Sequence, residues 1–73
     1  AAAVIELPRR VKGVYLRART DGPATAVTLD GNALAGMADR AALHAGSTGW
    51  VTDGNWTWVK VPAGGSAVVR ISP

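Results

Sequence analysis

In the segment Trp56-Thr57-Trp58-Val59-Lys60-Val61, two indole rings and an ammonium group occupy alternate residues. Alternate residues of an extended strand share one face, about 7 Å apart along it. If Val59 and Val61 turn to the core, Trp56, Trp58 and Lys60 turn outward. Rings so placed could stack on the apolar C–H faces of sugars, with Lys60 donating hydrogen bonds to the hydroxyls. Tyr15 and Arg17 alternate in the same way within Val14-Tyr15-Leu16-Arg17-Ala18-Arg19 and complete the candidate ligand-binding set. The opposite register would bury both tryptophans, and a short chain has use for such volume in its core. Docking against a neighbouring domain is a third use for an exposed aromatic pair. Core, docking surface and ligand platform therefore all stay open for Trp56 and Trp58. Trp50, which follows Gly49, is expected to anchor the core of a hairpin.

Residue types that could perform catalysis are present but unassembled. The acids are Glu6, Asp21, Asp30, Asp39 and Asp53, and three of them directly precede glycine. An Asp before Gly most often stabilises its own turn. His44 has no second His and no Cys beside it, which falls short of both a metal site and a catalytic triad. Ser47, Ser66 and Ser72 lie outside any nucleophile-elbow motif. The glycine-rich stretches lack the strand–glycine–helix context of a phosphate loop. The sequence thus assigns no catalytic residue, no metal and no cofactor. Asn55-Trp56-Thr57 fits the N-glycosylation pattern, which we read as coincidence in an Arg-, Ala- and Gly-rich chain of bacterial character.

The elements that must position these side chains are short. Ala2 to Leu7 is an apolar run ended by Pro8, and Val11 to Thr20 alternates with Val14 and Leu16 inward. Ala24 to Leu29 alternates with Thr25, Val27 and Leu29 on the expected core face. Asp30-Gly31-Asn32 then signals a tight turn into a return strand over Ala33 to Ala35. Met37 to Ala45 is the helix-friendly stretch, too short to stand alone and expected as one or two turns packed across a sheet edge, near 38–44. Trp50 to Thr52, the turn Asp53-Gly54-Asn55 and Trp56 to Val61 read as a hairpin, and Ala67 to Ile71 as a last strand. Six to seven short strands with regular turn signals predict an all-β chain, a small antiparallel β-sandwich or partly open barrel.

A chain of 73 residues is expected to make one domain, 1–73, and without a single Cys it must rest on a compact core or on a neighbour. No apolar stretch approaches the roughly 20 residues of a membrane-spanning helix, so no membrane partner is expected. The start at Ala1 without Met leads us to expect a processed or excised piece. Eight Lys and Arg against five Asp and Glu give a net charge of +3. Arg9, Arg10, Lys12, Arg17 and Arg19 around Tyr15 would suit a basic nucleic-acid-binding β-barrel. A solvated strand face explains them more simply, and nucleic acid is not the expected partner.

The order Val27-Thr28-Leu29-Asp30-Gly31-Asn32-Ala33-Leu34, then Gly49-Trp50-Val51-Thr52-Asp53, then Trp58-Val59-Lys60-Val61-Pro62 and Val68-Val69-Arg70-Ile71 resembles a known terminal module. It is similar to the C-terminal β-sandwich accessory domain of secreted glycoside hydrolases, family 31 α-glucosidases and α-xylosidases above all. The resemblance runs from Val27 to the last strand and rests on turn and core positions. In that family the catalytic acids lie in a separate barrel, so no catalytic residue carries over, and Gly49, Trp50 and Asp53 correspond to structural positions only. Trp56 and Trp58 have no counterpart in the pattern. The resemblance implies a non-catalytic accessory module, secreted, that docks to and stabilises a catalytic domain or second chain of a larger enzyme. A carbohydrate-binding module facing polysaccharide through Trp56, Trp58 and Tyr15 is the alternative.

Overall fold

The computed structural model describes residues 3–20 and 22–73. Asp21, one of the acids expected in a turn, lies outside the described residues. Seven strands and one helix follow in chain order: β1 Ala3–Leu7, β2 Val14–Arg19, β3 Ala26–Leu29, β4 Asn32–Ala33, α1 Arg40–Ala45, β5 Gly49–Asp53, β6 Trp56–Val61 and β7 Ala67–Ser72. They form two antiparallel sheets, β1-β7-β3-β4 and β2-β6-β5. The protein is a small all-β sandwich with one short helix.

Alternation fixes which way each strand faces. In β6, Thr57, Val59 and Val61 are fully buried, and in β7 Ala67, Val69 and Ile71 are buried while Val68 and Arg70 are exposed. The core between the sheets joins Val27, Val59, Val61, Val69 and Ile71 to half-buried Ile5, Leu16, Leu29, Leu34 and Trp50. Its makers are branched aliphatics, which suit a pleated surface packed on one side. Trp50 lies opposite Val59 and points inward, with its indole N–H donating to the Leu34 carbonyl at 3.2 Å. That bond satisfies the polar end of an otherwise apolar side chain.

Both hairpins use two-residue turns. Asp30 and Gly31, at φ of 51° and 83°, connect β3 to β4 with the sign pattern of a type I′ turn. Gly54, at φ of 65°, and Asn55 connect β5 to β6 with that of a type II′ turn. The other sequence-derived boundaries need correction at three places. β2 starts at Val14, not Val11, because the preceding segment is tied to the 62–66 loop by the Arg10–Gly64 bridge, leaving Val11 87% exposed. Thr25 is exposed and Ala24 buried, since the Thr25 amide and hydroxyl are drawn to the Ser72 and Pro73 carbonyls before the β3 alternation begins. The return strand ends at Ala33 because the chain then crosses between sheets. Leu34 N–H bonds Val27, while Ala35 and Met37 bond the Trp50 backbone.

The acids before glycine also act farther afield than their own turns. The Asp30 carboxylate accepts from the Val68 amide at 2.9 Å, and that of Asp53 pairs with Arg40.

Candidate functional site

Because Val59 and Val61 face the core, Trp56, Trp58 and Lys60 face outward. Strand register completes the arrangement. On the same face Tyr15 lies opposite Lys60, Arg17 opposite Trp58 and Arg19 opposite Trp56. The sheet therefore brings all five sequence-nominated residues, Tyr15, Arg17, Trp56, Trp58 and Lys60, onto one surface.

Within it the rings and cations interleave. Tyr15 meets Trp58 edge to face, with centroids 5.4 Å apart and planes at 87°. The Arg17 guanidinium lies 4.4 Å from the Trp56 ring centroid and 5.5 Å from that of Trp58. Cross-strand neighbours on one face are the pairs that can interact in this way. Electrostatic attraction to the ring quadrupole holds the cation there, at about 0.5–1 kcal/mol for an exposed site. A ligand ring laid on the indole gains the buried area of both faces. The guanidinium is thus a cover that a stacking ligand can displace.

Helix α1 supplies what the strands lack. Asp39 caps its start, accepting from the Ala42 amide at 2.8 Å. Six residues cannot form a stable helix alone. Fully buried Leu43 pins α1 onto β5 and β6, over the outward side of Val51. At the other end the Lys60 ammonium donates to the His44 carbonyl at 2.6 Å, satisfying a last-turn acceptor. Lys60 therefore holds the helix on the sheet, and its charge is already engaged within the chain.

Docked in this way, α1 places Arg40 over Trp58, 4.5 Å from its centroid. Tyr15, Arg40, Ala41, His44 and Trp58 line a groove of about 340 Å³. That volume lies near the lower end of small-ligand sites. Arg40 also reaches Asp53 at 3.6 Å, an ion pair whose side chains stay 54% and 64% exposed and which water can exchange freely. Arg40 and His44 were not nominated from sequence as ligand residues. The one local signal was Val51, an apolar side chain on the outward face whose burial requires a cover.

The basic cluster at the start of the chain does not join this surface as a unit. Arg10 donates to the carbonyls of Pro8, Pro62 and Gly65, a structural clasp between two loops. Arg9 and Lys12 lie in the segment before β2, outside the strands. A second depression of about 410 Å³ is lined by Glu6, Asp30 and Val68 among others, but it holds no aromatic ring. Among the described residues no helix is long and apolar enough to cross a membrane.

Set against protein-family models, curated proteins and solved structures, the chain matches none of them significantly. The fold and this face define the class, a small β-sandwich with an outward aromatic–arginine surface.

Proposed function

We propose that the chain is a non-catalytic accessory module of a carbohydrate-active enzyme and that it meets saccharide on the outward face of β2-β6-β5. One observation carries this reading. The chain has three Trp, one Tyr and no Phe, and three of those four aromatic residues stand outside the core. A domain this small gains most from burying its largest apolar side chains. Leaving them on one face, 37% exposed at Trp56 and 38% at Tyr15, gives up that stabilisation for a surface suited to stacking. Sugars suit such a surface because their ring faces are apolar and their edges polar. The family 31 resemblance of the sequence supports the same setting, including secretion and attachment to a catalytic domain.

Affinity electrophoresis against a panel of α- and β-linked polysaccharides tests the reading. At least one polymer should retard the module, and Tyr15→Ala and Trp58→Ala should restore free migration. Migration unaffected by every polymer would remove the basis for a saccharide face.

Docking to a catalytic domain has its own support on the opposite side of the sandwich. Val4 and Val68, diagonal neighbours on the outward face of β1-β7-β3-β4, are 58% and 40% exposed. In the parent enzyme Val4→Glu with Val68→Glu should lower the melting temperature of the catalytic domain. Unchanged melting would sink the docking version.

A further inference from the structure

The aromatic face carries cations among its rings. Of the chain's eight Lys and Arg, four belong to it: Arg17, Arg19 and Lys60 on the strands and Arg40 on α1. Of its five acids, Asp53 shares the face and Asp39 is held in the helix cap beside it. We infer that the occupant of the Tyr15–Trp58 groove is an acidic oligosaccharide, a uronate-bearing chain whose carboxylate pairs with Arg40. The inference rests on the saccharide reading above and names the substrate class of the same site.

Three features argue for it. Arg40 already pairs with a carboxylate, that of Asp53, in an exposed and exchangeable contact. A ligand carboxylate can take that place with the planar, two-pronged geometry guanidinium favours. Arg40 stands over Trp58, so a pyranose ring laid on the indole brings its substituents to the guanidinium. Tyr15 and His44 form the remaining walls, where a phenol hydroxyl and an imidazole can meet sugar hydroxyls.

A single-stranded nucleic acid would also find rings and cations, but the geometry suits it less. Successive bases need successive stacking faces. Tyr15 and Trp58 stand at 87° to one another, so their faces do not continue one stack. A phosphate backbone needs a row of unengaged cations, whereas Lys60 is bound to the His44 carbonyl.

Tryptophan fluorescence titrations with polygalacturonate, its carboxyl-reduced neutral polymer and oligo-dT test the proposal. Polygalacturonate should bind at least about tenfold more tightly than the reduced polymer, as loss of one charge-assisted contact implies. Arg40→Gln, at an exposed helix position, should abolish that preference. Arg70→Gln, on the other sheet, should preserve it. Equal affinity for the two polymers, or a preference that survives in Arg40→Gln, overturns the acidic occupant and leaves the saccharide reading standing. Binding to neither polymer overturns the acidic occupant, while the saccharide reading stands or falls with the polysaccharide panel. Tighter binding of oligo-dT assigns the face to nucleic acid and overturns the proposal.

Discussion

The hydroxyl of Thr57, fully buried, lies 3.0 Å from that of Thr52 on the neighbouring strand, and both belong to a chain of bonds with one direction. The Ala24 amide donates to Thr52 at one end, and at the other Thr20 donates to the Gly22 carbonyl. Each hydroxyl has a single proton. Thr20 must therefore accept from Thr57, 3.0 Å away, and Thr57 must accept from Thr52. The relay ties the crossing between β2 and β3 to β5 and β6. Thr57→Val preserves shape but leaves the Thr52 hydroxyl proton without its acceptor and takes the donor from Thr20, at a cost of about 1–3 kcal/mol. Thr57→Ser keeps the hydroxyl. Urea denaturation should place the Val variant well below the Ser variant, and the reverse order would refute the relay.

Gly49 opens β5 at φ of +145°, where an added Cβ would lie 2.7 Å from Met37 Cε and 3.0 Å from the Ala35 carbonyl oxygen. Gly54, at φ of +65°, has nothing within 4 Å of the same position. Ala at Gly54 meets only the strain of a positive φ at a turn position that selects Gly. Ala at Gly49 adds collision with backbone to a comparable strain. Thermal melts should show the larger loss for Gly49→Ala, and equal losses would mean that the crossing segment yields freely.

Local pattern made the sandwich legible, because period-2 alternation carries inward and outward with it. Val59 and Val61 against Trp56 and Trp58 marked β6 as a two-faced strand without deciding which face turns inward, and Asp-Gly and Gly-Asn placed the two hairpins. Less was legible where the chain leaves a strand. Thr25 keeps the alternation on paper, yet the Pro73 carbonyl draws its hydroxyl outward. The site was legible by half for the same reason. Strand residues declare their face, but Arg40 and His44 reach Trp58 only because α1 folds onto β5 and β6. No spacing in the sequence encodes that contact.

Leu43 is the side chain on which this placement depends, since it is fully buried while its helix neighbours are exposed. Leu43→Ala should cost about 2–5 kcal/mol, a large share of the stability of so small a domain. Asp39→Ala, which removes only the cap, should cost about 0.5–2 kcal/mol. Both variants should weaken saccharide retardation by releasing Arg40 from Trp58, the Leu43 variant more. Retained binding in a folded Leu43→Ala protein would show that the strands alone form the site.

Arg10 ties together the loops that follow β1 and β6. Its backbone pairs with Gly64 in both directions, at 2.7 and 3.0 Å, and its guanidinium donates to the Pro8, Pro62 and Gly65 carbonyls. A planar fork can serve several carbonyls at once, which a lysine ammonium on a flexible stem does poorly. The contacts are exposed, so water replaces much of each bond, and Arg10→Lys should cost only about 1 kcal/mol overall. Its local effect should be larger. Amide hydrogen exchange at Arg10 and Gly64 should accelerate in Arg10→Lys and stay unchanged in Arg9→Gln, a neighbouring cation outside the clasp. Acceleration of equal size in both variants would mean that the guanidinium clasp does not hold the two loops, since Arg10→Lys keeps its charge and loses only the fork.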